Sequence, residues 1–170
     1  MKKYFIFSIF LCLCLCLLLS ACCTGRKGTE YDKAKQLIRE GKAECVLLRE
    51  GKILHIEKGR GVSPLLAMSK KYDREMAGGE IVDKVIGRAA AAIAINGKVK
   101  YVHALIISED AVEFLKKHDI SCSWDLKVKR ILNRTRTDLC PLEKSVEGIH
   151  DPLKAQKALE AKIRQMMKKK

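Results

Sequence analysis

Aromatic side chains are scarce in this sequence, 5% of 170 residues with a single Trp. Surfaces that bind single-stranded nucleic acid need rings interleaved with cations, and no such interleaving occurs here, so nucleic acid is a disfavoured partner. The 3 prolines are too few for a Pro-rich linker or stalk. Pro64, Pro141 and Pro152 each read instead as the first residue of a helix, where a missing N–H costs nothing. No Cys-x-x-Cys and no His-x-x-x-His occurs, and these are common zinc-ligand spacings. Zinc hydrolysis is therefore disfavoured, and neither a metal nor a cofactor is expected. Acidic residues are also short: 20 against 34 Lys and Arg, a net charge of +14. Setting aside Lys2 and Lys3 leaves 32 basic residues against 20, still +12. That balance suits an acidic partner, such as a phosphorylated small molecule or an anionic lipid. The length and the hydrophobic content of 48% fit one domain with a real core and a short appendage.

The longest apolar run lies at the start. Met1-Lys2-Lys3 is a basic head, and Tyr4 to Leu19 is apolar except for Ser8. This is the form of a secretory signal peptide. Its end, Leu19-Ser20-Ala21-Cys22, resembles a bacterial lipobox, which makes Cys22 a lipidation site and residues 1–22 a leader. Residues 23–30 then form a tether, and the protein is a lipoprotein anchored outside the cytoplasm. Two alternatives remain: an uncleaved N-terminal membrane anchor, or a cytoplasmic protein whose true start lies further on. Of 8 cysteines, only Cys45, Cys122 and Cys140 fall in the folded body, and they resemble no disulfide framework.

The body, residues 31–152, reads as alternating helices and strands, followed by a basic helix over 153–170. Tyr31 to Gly41 is a first helix. Glu44 to Glu57 is a hairpin turning at Glu50-Gly51-Lys52. Ser63 caps a helix that begins at Pro64. The stretch Glu80–Ile95 predicts one long helix, with Val82, Val85, Ile86, Ala89 and Ile93 on a single face and Gly87 marking a close approach. Tyr101–Ile107 is a strand, and Ser108 caps the next helix with Glu109 and Asp110 in its first turn. Ile120–Trp124 and Lys127–Leu132 are short extended pieces, and Asn133–Asp138 is a polar loop. Cys140-Pro141 opens a short helix, and Asp151 caps the last. This order implies a mixed sheet opened by a β-hairpin, in two or three layers.

The order and four motifs are similar to the domain-of-unknown-function 1893 family over roughly residues 40 to 152. The motifs are Gly59-Arg-Gly-Val-Ser-Pro-Leu-Leu66, Val82-Asp-Lys-Val-Ile-Gly-Arg-Ala-Ala-Ala91, Ile107-Ser-Glu-Asp-Ala111, and Asn133-Arg134 with Cys140-Pro-Leu-Glu143. The resemblance implies a cytidine-deaminase-like, three-layer α/β/α fold. It does not carry zinc chemistry with it. Deaminases place a His or Cys ligand with Glu at one helix start and a Pro-Cys-x-x-Cys pair at another. Asp83-Lys84-Val85 and Ser108-Glu109-Asp110-Ala111 would hold those positions, and neither supplies the ligands. His55-Ile56-Glu57 has the first spacing, but lies on a hairpin strand.

By analogy with that fold, one pocket gathers Lys84, Arg88, Ser108, Glu109, Asn133 and Arg134 as ligand-binding candidates. Cationic side chains and a helix N-terminus suit phosphate or carboxylate, and Asn133 suits a polar base edge. Cys140, before a proline at a helix start, is a candidate nucleophile, and Asp83 with Lys84 a candidate acid–base pair. The expected function is binding of a small anionic, nucleotide-like ligand without zinc. The alternatives are a metal-independent enzyme using Cys140 or Asp83/Lys84, and a membrane-anchored interaction module without catalysis. His103 reads as a core residue, and His118 and His150 as incidental.

Overall fold

The computed structural model describes residues 29–168. The leader, with Cys22, lies outside them. Twelve elements follow in order: α1 (Thr29–Arg39), β1 (Cys45–Arg49), β2 (Lys52–Glu57), α2 (Ser63–Lys71), α3 (Asp73–Met76), β3 (Glu80–Ile86), α4 (Arg88–Asn96), β4 (Tyr101–Ser108), α5 (Glu109–Lys117), β5 (Ser121–Val128), α6 (Pro141–Lys144) and α7 (Pro152–Met167). The hairpin forms as expected. Glu50 and Gly51 both take positive φ, 52° and 75°, which is the two-residue turn whose twist matches that of the strands. All three prolines sit in the first turn of a helix. The cap of α2 differs: Ser63 is already helical, Val62 precedes it, and no side chain caps the end.

Residues 80–96 differ most from the sequence reading. The expected single helix is a strand, β3, then Gly87 in an extended conformation, then a nine-residue helix, α4. The physical reason is the position of β3. It pairs with β1 on one side and β4 on the other, and apolar layers cover both of its faces. A strand buried on both faces is nearly continuous in hydrophobicity, and such a run also satisfies helical spacing. Ile81, Val82, Val85 and Ile86 are all β-branched and favour the strand. The alanine run belongs to α4 alone. Of the two extended pieces expected over 120–132, the first and the start of the second form one eight-residue strand, β5, and the remainder lies beyond it, with Leu132 in an isolated bridge to Leu139.

The five strands form one mixed sheet in the order β2-β1-β3-β4-β5. β1 is antiparallel to β2 and β3, whereas β3, β4 and β5 run parallel. Parallel neighbours need a crossover, and α4 and α5 supply the two required. On one face α1 packs Tyr31, Ala34 and Ile38 against Val46, Leu48 and Val82. On the other, a larger core gathers Leu65 and Met68 of α2, the alanines and Ile93 of α4, Phe114 and Leu115 of α5, and Ala155 and Leu159 of α7. The result is three layers: one helix, the sheet, and a set of helices. α7 is part of this core, since Ala155 and Leu159 are fully buried.

Candidate functional site

The three parallel strands end at one edge of the sheet, and each hands the chain to a polar residue there. After β3, Gly87 leads into α4 at Arg88. At the end of β4, Ser108 caps α5, its Oγ accepting from the Ala111 amide at 3.2 Å. After β5 come Lys129 and Arg130. The returning segment, residues 139–150, closes over these ends. Between them lies a cleft of about 300 Å³ lined by Arg88, Ser108, Asp110, Lys129, Arg130, Glu143 and His150, among others. A crevice beyond the carboxyl ends of parallel strands is where open α/β sheets generally bind ligands.

Two residues fix the inner wall. Arg88 is only 7% exposed. Its Nη1 donates to Asp110 Oδ1 at 2.5 Å, and its Nε and Nη2 both donate to the Ile149 carbonyl, at 3.2 and 2.7 Å. Nη2 lies 3.4 Å from His150 Nδ1, and the guanidinium sits 4.2 Å from the Phe114 ring centroid. Most donors of the fork are thus engaged by the protein. Glu143 caps α4 from a distance in sequence. Its Oε2 accepts from the Arg88 amide at 2.8 Å and its Oε1 from the Ala89 amide at 3.1 Å. A β-carbon at position 87 would overlap this carboxylate, so Gly87 is the residue that lets it reach the helix. Burial raises the Glu143 pKa above the usual carboxylate value, against the opposing pull of the two amides. α6, the helix that carries Glu143, has no side-chain cap of its own.

The outer wall is basic. Lys129 has no acidic partner among the described residues. Arg130 faces Glu147 at 3.8 Å, both side chains about 60% exposed, which is a loose surface pair.

Of the candidates read from the sequence, Arg88 and Ser108 line this cleft, and Lys84, Glu109, Asn133, Arg134, Cys140 and Asp83 are not among its lining residues. Asp83 and Lys84 are consecutive in a strand and so point to opposite faces, which prevents them from acting as one acid–base pair. Lys84 is half-exposed and donates to Glu44 at 3.0 Å. Asp83 is buried and accepts from the Val85 amide, and burial lifts its pKa to about 7. Asn133 spends its carbonyl oxygen inside its own loop, on the Thr137 amide and the Thr135 hydroxyl. Arg134 and Glu109 are exposed. Cys140 is half-buried, with its amide donating to the Ile131 carbonyl. Cys45, Cys122 and Cys140 are all free thiols. His55 stacks face to face on Tyr72, centroids 3.5 Å apart. The charged and polar cleft residues missed from sequence are Asp110, Lys129, Arg130, Glu143, Glu147 and His150. The one usable signal was that Asp110 follows the capping Ser108 by two residues, inside the same turn. Among the described residues no His, Cys, Asp and Glu cluster could hold a metal, and no helix is long and apolar enough to cross a membrane.

The sequence profile of DUF1893, a domain of unknown function, matches residues 33–163. The chain belongs to the DUF1893 family. Its fold is similar to the crystal structure of a DUF1893 family protein from Thermotoga maritima, with a TM-score of 0.72 at 24% identity, over 81% of this chain and 92% of that one. A second solved structure, RibD from Acinetobacter baumannii, matches at a TM-score of 0.40 and 14% identity, over 55% of this chain and 33% of that one. That level is too low to bear on fold or function. No curated protein matches the sequence. The DUF1893 match extends into α7, in keeping with the place of that helix in the core.

Proposed function

We propose that this DUF1893 domain binds a small anionic ligand of the nucleotide or sugar-phosphate class, without zinc, in the cleft beyond β3, β4 and β5. The observation that carries the reading is the asymmetry of the cleft walls. Arg88 and Glu143 are spent on the protein, whereas Lys129, which lines the same cleft with Arg130, has no described acidic partner. Arg88 is a positioning residue in this reading, and Lys129 is the anion contact.

The kinship with cytidine deaminases implied by the motifs belongs here too. In that reading the openings of α4 and α5 correspond to the zinc-holding positions. They carry Arg88, Ser108 and Asp110, joined by the Arg88–Asp110 ion pair. A guanidinium, a hydroxyl and one paired carboxylate are not a zinc donor set, so the residues present do not fit that metal. Export and lipidation at Cys22 rest on the leader sequence alone.

Thermal-shift measurements with nucleotides and sugar phosphates test the binding proposal. A ligand at about ten times its Kd adds ~1.4 kcal/mol, a rise of roughly 3 to 5 °C for a domain of this size. Lys129→Ala is expected to lose the shift and Lys84→Ala to keep it. No stabilising anion, or equal shifts for wild type and Lys129→Ala, removes the proposal.

A further inference from the structure

α7 carries charge out of proportion to its length. From residue 153 to the end, seven basic residues face one acid, Glu160, which is +6 of the chain's +14. Lys154, Lys157, Arg164 and Lys168 are all exposed, and with the small exposed Ala161 they recur at intervals of three and four residues. That spacing draws one stripe along the helix, about 21 Å long at 1.5 Å per residue. The opposite side, Ala155 and Leu159, is locked in the core, so the stripe is held outward.

Two local features keep the stripe positive. Glu160, only 23% exposed, is shared between Lys70 of α2 at 3.5 Å and Arg164 at 3.7 Å, so it offsets one stripe cation in part and leaves Lys154, Lys157 and Lys168 without an acidic partner among the described residues. Asp151 is committed to the helix cap through the Lys154 amide. Beside the stripe stand two of the most exposed apolar side chains, Leu153 at 62% and Met167 at 71%. They are fourteen residues, close to four turns, apart, and so share one flank.

We propose that this outer face of α7 docks on an anionic lipid bilayer, with the four cations at the headgroups and Leu153 and Met167 dipping into the interface. Cations beside exposed apolar side chains are the composition of a helix lying in a membrane surface. Nucleic acid fits less well, because α7 has no aromatic residue to stack and the apolar flank has no counterpart on a phosphate backbone. The proposal is independent of the cleft and of the leader's fate. A basic patch is also the kind of second signal that turns one marginal lipid anchor into a stable one.

The test uses the full chain with vesicles of phosphatidylcholine alone or mixed with phosphatidylglycerol. Each cation near an anionic surface changes partitioning by roughly fivefold. Wild type is therefore expected to favour the anionic vesicles by at least about tenfold at low salt. The variant Lys154→Gln, Lys157→Gln, Arg164→Gln, Lys168→Gln should lose that preference while keeping its melting temperature and whatever binding to neutral vesicles the leader provides. Equal preference in the variant overturns the proposal, as does the absence of any preference in wild type. Competition by single-stranded RNA that strips wild type from anionic vesicles would also overturn it, in favour of a nucleic-acid surface.

Discussion

Arg88 and His103 are both nearly sealed from solvent, 7% and 3% exposed, yet one is held charged and the other neutral. Arg88 meets a carboxylate, a carbonyl and an aromatic face, and its partner Asp110 is half in water. His103 lies on the α1 face of the sheet. Its Nδ1 is 2.7 Å from Ser123 Oγ, which is in turn 2.6 Å from the Tyr101 hydroxyl. Its Nε2 is 3.4 Å from Asp125 Oδ1 but makes no aligned hydrogen bond, because Asp125 turns to Arg39 at 2.7 Å. Burial is the largest cause, and the Lys35 charge the next, of a pKa lowered to about 4. A buried cation is kept where groups of opposite polarity already face it; without them the site sheds the proton. The centre that keeps its charges is the one that opens into a cleft.

The largest expected effect comes from pH. His103 has a folded pKa near 4 against an ordinary value of 6.5, so the unfolded chain binds the extra proton. Its contribution is full above pH 6.5 and is lost as pH falls towards 4, about 3 kcal/mol in all. Asp83 runs the other way. Its folded pKa of about 7 exceeds the ordinary 3.8, so stability is lost as pH rises from 3.8 to 7, by about 4 kcal/mol. In wild type the two slopes oppose each other over the same window. Asp83→Asn should unmask His103, giving urea-unfolding free energies that drop by about 3 kcal/mol between pH 7 and pH 4. His103→Asn should unmask the opposite slope. A flat profile for Asp83→Asn would show that His103 is not held neutral.

How much of this was written in local sequence depends on the range of each contact. The hairpin turn at Glu50-Gly51, the proline helix starts and the Ser108 cap depend on neighbours within four residues, and all were legible. Arg88 and Ser108 were placed at one site by analogy with the resembled fold, not by local pattern, since Arg88 was read as lying inside a helix that it in fact opens. β3 was not legible, since its covering on both faces comes from β1, β4, α1 and α2, and local periodicity does not record them. β5 was read as two pieces because Asp125 interrupts its apolar pattern at the sheet edge. The Glu143 cap crosses 54 and 55 residues to reach Ala89 and Arg88. Its only trace in sequence was Gly87, read correctly as a close approach and wrongly as mid-helix.

The charged centre can be broken directly. Arg88→Met keeps much of the contact with Phe114 but leaves the Ile149 carbonyl without its two donors and Asp110 without its cation. We expect a loss of about 2 kcal/mol in urea unfolding, below the full cost of breaking a sealed ion pair because Asp110 is 52% exposed. Adding Asp110→Ala should cost less in the Arg88→Met background than alone, with a coupling of about 1 kcal/mol. Strict additivity would mean that the backbone carbonyl, not the carboxylate, holds Arg88 in place.

The smallest effect isolates the room that Gly87 makes. Its φ of −100° and ψ of −175° are open to any residue, so Gly87→Ala introduces no backbone strain. The three atoms nearest the added β-carbon all belong to the carboxylate of Glu143, the end of a flexible side chain that can swing away. The cost should then be the loss of a helix cap, about 1 kcal/mol. Glu143→Ala removes the same cap and should cost a similar amount. Once that carboxylate is gone, Gly87→Ala has nothing left to displace, so the double variant should be no less stable than Glu143→Ala. If the two costs add in full, the glycine serves something other than this cap, and the long-range reach of Glu143 is not what organises the inner wall of the cleft.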